Sequence, residues 1–174
     1  MPKYLNPLIQ IVGGAGLAFA GLLLIGSVSI IFLEILLRTA FGTSTFIVDE
    51  LVSHAVAGTT FFALPYALSQ GGILRMSLVL DKVGAGARRV LDGLTLCFGL
   101  GVFAFIAKFA WLRVERSWER GSTSNSVVAF PLWIPEGLLL LAIILVLLQL
   151  LFLSVGLLLG RPLLGDPETA MLEE

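Results

Sequence analysis

Cysteine, histidine and charge are all scarce in this sequence. One cysteine, Cys97, among 174 residues can close no disulfide within the chain, and it sits in an apolar run without partners at metal-binding spacing. A single histidine, His54, excludes a pair of axial imidazoles for haem from this chain alone. Charged residues make up 13% of the sequence, against about 25% in a soluble domain, and the net charge is −1 with no basic block. Nucleic acid therefore has nothing to bind by charge. An enzyme's nucleophile set is missing as well, since Ser27 and Ser29 lie in an apolar stretch that holds no base, one helix away from His54. No residue set calls for a cofactor.

What is present is hydrophobic. Apolar residues account for 57% of the chain, which predicts an all-α integral membrane protein with four transmembrane helices and a short interfacial amphipathic helix between helices 2 and 3. The expected spans are 8–37, 49–68, 92–112 and 136–159, within a single membrane domain of residues 1–162. Residues 163–174 read as an acidic tail without fixed structure. Ala18-Phe19-Ala20 has the look of a signal-peptide cleavage site, but the hydrophobic run continues through Leu33 and reads as a retained first span.

Span one follows Pro7, whose missing N–H suits a helix start. Gly13, Gly14, Gly16 and Gly21 give its first half a small-residue face; Gly13 and Gly16 are the candidate helix-packing residues, expected to meet another membrane protein. Glu34 and Arg38 stand at i, i+4 near its end. Span two opens on Asp49-Glu50, carries His54, and holds Pro65, which removes a backbone hydrogen bond and is expected to bend the helix.

Beyond Gly71-Gly72, the segment 73–83 is too short to span and places Arg75 and Lys82 among apolar residues. It reads as a helix lying in the membrane interface, ended by Gly84 and Gly86. After span three, Arg113, Arg116 and Arg120 recur at i, i+3 and i+7 and predict that the helix continues into water as far as Gly121. Trp111 and Trp118 mark the interface there. Two prolines in Phe130-Pro131-Leu132-Trp133-Ile134-Pro135 are expected to keep that segment out of regular helix. Four spans put both termini on one side together with Lys3, Arg75, Lys82, Arg88, Arg89 and Arg161, while five basic residues lie on the other side, so positive charge favours cytoplasmic termini by one residue.

Three motifs in this order and spacing resemble the small membrane subunit of tripartite ATP-independent periplasmic (TRAP) transporters, the DctQ-like family. They are Arg38 with Phe41 followed by Phe46-Ile47-Val48-Asp49-Glu50, Gly71-Gly72-Ile73-Leu74-Arg75, and Pro131-Leu132-Trp133-Ile134-Pro135. Phe46, Ile73 and Ser77 depart from the Trp, His and acidic residue that the family often has there. The resemblance implies a multi-pass protein of the bacterial inner membrane with cytoplasmic termini. Its partners would be a large membrane subunit that carries solute and ion, a periplasmic substrate-binding protein that delivers an organic acid or similar solute, and membrane lipid. It also implies subunit contacts for Arg38 and Arg75, with Arg38 turned toward Asp49 or Glu50, and periplasmic-face contacts for Pro131, Trp133 and Pro135.

Two sets of alternatives stay open on the residues alone. Glu50 and His54 share a helical face beside Asp49, so they could hold a metal or relay a proton, or form a polar cluster at the membrane surface. Arg38 and Arg75 could contact a subunit, or meet lipid phosphate and water. A rival function is a self-contained four-helix carrier that uses Glu34 or Glu50 for coupling; against it, no span has a charge at its middle, where carriers tend to bind substrate. The predicted topology has a direct check: cysteines placed at Ser44 and Ser124 should react with an impermeant reagent added outside the cell, and one at Ala85 should not. The reverse pattern would invert the orientation.

Overall fold

Hydrocarbon offers no water to a bare backbone, so a long apolar run in a membrane satisfies its peptide groups by becoming helix. The computed structural model describes residues 5–45, 47–69, 85–123 and 130–159, with side chains from residue 9 and, in the third helix, from residue 90. Within them run four helices: α1 (Leu5–Phe41), α2 (Val48–Ser69), α3 (Ala85–Glu119) and α4 (Trp133–Leu158). All four are long and apolar enough to cross a membrane. The expected interfacial helix 73–83, Arg75 within it and the tail 163–174 lie outside the described residues.

Three helices clearly outrun their expected spans, α1 by running Leu5–Phe41 against 8–37. α3 takes in Gly86, which the sequence places at the end of the preceding helix, and as expected it continues about two turns beyond Arg113 before the chain turns at Gly121. Gly121 has φ +57°; its N–H donates to Trp118 O at 3.2 Å, and that of Ser122 donates to Ser117 O at 3.0 Å, the paired bonds that close a helix C-terminus. α4 begins at Trp133, earlier than the expected 136, and contains Pro135. The sequence expectation of an irregular segment is corrected there: Pro135 falls in the first turn, where the missing N–H would have no partner in any case.

α4 is the central helix. It packs on α3, on α2 and more lightly on α1, while α1 and α2 form the most extensive pair. One core cluster joins Ala20, Phe62 and Ala142, and a second joins Leu96, Val146 and Leu150. Gln149 is fully buried near the second cluster, and neither of its amide atoms has a hydrogen-bond partner among the described residues. Nothing in the structure explains that.

The α1–α2 pair depends on absent side chains. Gly13, Gly16, Ala20 and Ser27 recur at helical spacing on the buried face of α1. A Cβ on Gly16 would stand 2.5 Å from the backbone oxygen of Phe62, and one on Gly13 would stand 3.1 Å from Tyr66 Cα. Both glycines thus meet α2 of the same chain. Around Gly14 and Gly21 the same test finds open space. Because backbone rather than a flexible side chain blocks the Gly16 position, Gly16→Ala should cost about 1–3 kcal/mol. Gly14→Ala should stay within about 0.5 kcal/mol. Unfolding of the two variants in mixed micelles measures the difference; equal stability would mean that α1 and α2 do not approach this closely.

Candidate functional site at one end of the bundle

Antiparallel succession gathers the end of α1, the start of α2, the end of α3 and the start of α4 at one end of the bundle. The carboxylate clusters around Glu34 and Glu136 lie there, while buried Asp92 lies toward the other end. The α1–α2 connection is held by Glu34, whose carboxylate accepts hydrogen bonds from Ser44 Oγ, from Thr45 N–H at 3.1 Å and from Thr45 Oγ1 at 2.6 Å. Gly42, at φ +62°, turns the chain so that these donors face back toward the helix. Arg38 follows one turn after Glu34 and is exposed, as is Asp49, and no ion pair joins the two among the described residues.

The α3–α4 hairpin is closed by Glu136, a residue the sequence reading passed over. It lies in the first turn of α4 and is 6% exposed. Arg113 Nε donates to its Oε1 at 2.8 Å and Ser117 Oγ donates to its Oε2 at 2.5 Å, so both oxygens are occupied from α3. The first turn of a helix also favours an acid electrostatically. One signal could have found it: Glu136 is the only charged residue between Arg120 and Arg161. An isolated acid entering the most apolar helix of the chain needs a partner from elsewhere.

His54 stands beside this pair. It is half-buried, and its Nδ1–H donates to Glu50 O at 2.8 Å, which leaves Nε2 for other contacts. With Ser53, Arg113 and Glu136 it lines a cavity of about 250 Å³ where α2, α3 and α4 meet. The periplasmic-contact candidates pack within the chain at the same end. Trp133 sets its ring edge against Trp118 with centroids 4.8 Å apart, Pro131 bridges Thr123, and Pro135 lines a small recess with Glu50 and His54. Of the predicted site residues, Glu34, Arg38, Asp49, Glu50, His54, Pro131, Trp133 and Pro135 are thus at one end, whereas Gly13 and Gly16 lie toward the other. The arrangement offers charge recognition and mechanical closure. It contains no nucleophile paired with a base among the described residues.

Residues 27–159 match the family model for the DctQ component of tripartite ATP-independent periplasmic transporters. The chain belongs to this family. No curated protein and no solved structure matches it. As a DctQ-family member it is a small membrane subunit of a TRAP transporter, a transporter component rather than an enzyme, and a multi-pass protein of the inner membrane. The matched region takes in Glu34, His54, Arg113 and Glu136, while Gly13 and Gly16 precede it.

The Glu136 contacts divide unequally. Glu136 is buried, while the Arg113 side chain is 71% exposed and regains water if its partner is removed. Glu136→Ala in this DctQ chain also strips the buried Ser117 hydroxyl of its acceptor and should destabilise the chain by roughly 1–3 kcal/mol. Arg113→Ala should cost at least as much, because it leaves the buried carboxylate with Ser117 as its one described donor and no charge partner. Thermal unfolding of both variants in detergent tests the order, and a clearly smaller loss for Arg113→Ala would contradict it.

Proposed function

We propose that this subunit anchors and orients the large membrane subunit of its transporter, which performs ion-coupled uptake of an organic acid or similar solute delivered by a periplasmic binding protein. Both termini are cytoplasmic in this reading, and the polar end of the bundle faces the periplasm. Family membership supports the assignment of partners. The observation that carries the scaffold role is the distribution of charge: residues 5–33, 51–69, 93–107 and 137–158 contain no Asp, Glu, Lys or Arg. A charged solute crossing between these helices would find no compensating group, at a cost of several kcal/mol per unpaired charge.

The outer helices suit an anchoring role. α1 exposes Leu22, Ile25, Val28 and Phe32 on one face, and α3 exposes Leu94, Phe98 and Phe105. Neither face is needed for packing inside the chain, so either can meet lipid or a larger membrane partner. The carrier alternative loses support from Glu34, because its carboxylate is engaged by Ser44 and Thr45 at a helix connection. Reconstituted alone in liposomes with a Na⁺ gradient and candidate organic acids, the chain should give no uptake above empty vesicles. Uptake should appear on adding the large subunit and binding protein, and fall to background when this chain is left out. Substrate-specific uptake by the chain alone would establish a carrier instead.

A further inference from the structure

Arg113, Arg116 and Arg120 share a face of α3 with Phe109, about 100° of rotation separating successive residues. Lys108, Glu115 and Glu119 form a neighbouring stripe, roughly a quarter to a third of a turn round the helix from the arginines. The three arginines line a cavity of about 490 Å³ whose one acid is Glu136, and that carboxylate is occupied by Arg113 Nε and Ser117 Oγ. Positive charge is therefore in excess. Arg116 is folded back, its Nε donating to Leu112 O at 3.0 Å, so its guanidinium is drawn toward the apolar part of the helix. Exposed Trp111, Trp118 and Trp133 fix this level as the headgroup region of the membrane.

Deeper along α3 an apolar path runs between the arginine stripe and that of Lys108 and Glu119. Phe109 lies against Phe105 with ring centroids 4.7 Å apart, and Phe105, Val102, Gly101 and Phe98 line a groove of about 560 Å³. From Phe109 to Gly101 the helix rises about 12 Å, within the depth of roughly 15 Å that one leaflet of hydrocarbon provides. A basic cradle bordered by Phe109 thus lies one helical turn from a shallow apolar groove bordered by Phe105.

We propose that this face of α3 is a binding site for one anionic phospholipid, with its phosphate held by Arg116 and Arg120 beside Arg113 and an acyl chain laid along Phe109 and Phe105 toward Gly101. Guanidinium groups recognise phosphate oxygens in pairs, and the groove supplies what a free anion would not use. An acidic patch on a soluble protein would meet the arginines and leave the groove empty. A partner's membrane helix would fill the groove but would need its own acid at the headgroup level. The site does not depend on which way the chain is oriented.

The full chain in nanodiscs gives the test, read as quenching of its tryptophans by lipids brominated on the acyl chain. Brominated phosphatidylglycerol should quench at a lower mole fraction than brominated phosphatidylcholine. The double variant Arg116→Gln/Arg120→Gln should reduce that preference by roughly tenfold or more. Arg116→Lys/Arg120→Lys should keep much of it, and Glu115→Gln/Glu119→Gln should leave it in place; both pairs are exposed, so the fold is not at stake. Excess glycerol phosphate should not displace the lipid. Equal quenching by the two lipids in the unmodified chain would overturn the proposal. So would displacement by glycerol phosphate, which would make the ligand a free phosphate. A third contrary result is an unchanged lipid preference in the Gln variant with weakened co-purification of the binding protein, which would make the face a protein contact.

Discussion

Apolar side chains gain nothing by leaving lipid tails for each other, so helices in a bilayer associate only where they fit more closely than lipid does or where polar groups tie them. Gly16 supplies the first condition. Its missing Cβ lets the α1 backbone come against the carbonyl of Phe62, and Ala20 and Ala142 extend the small-residue contact toward α4. Gly58 repeats the device from the α2 side, where a Cβ would stand 3.0 Å from a methyl of Leu23. With that contact made, Phe62 and Pro65 are buried and α2 presents Leu64 and Leu68 to the cluster shared by α3 and α4.

Polar ties supply the second condition, and the chain uses the same one twice. Each helical hairpin is closed at the same end of the bundle by one carboxylate that accepts from hydroxyl groups, Glu34 for α1 and α2, Glu136 for α3 and α4. A carboxylate near the membrane surface is costly to bury alone, but hydroxyl, amide and guanidinium donors satisfy it locally. α4 then joins the two hairpins through apolar packing, which is why it is the helix with the largest buried share. For a transporter's small subunit this means a bundle tied together in its core and at one end, with the outer faces of α1 and α3 left uncovered within the chain.

Hydropathy, helix period and turn residues are local properties, and what depends on them was legible in the sequence by itself: four apolar helices, the end of α3 at Gly121, and the absence of charge from the middle of every span. The order and spacing of short motifs carried the family as well. Where local rules compete, the expectation fails in part: Pro131 does stand outside the helix, but Pro135 falls in its first turn, where a proline breaks nothing. Only the tertiary structure decided who meets whom. That Gly16 faces Phe62, that Glu136 takes Arg113 and Ser117, and that His54 stands beside them all join residues far apart in the chain. A glycine face or a lone acid states that a close neighbour or a donor is needed, and many helices of similar composition could provide it. The choice follows from how the four helices stack, because rotation and depth of each helix are set by its neighbours rather than by its own sequence.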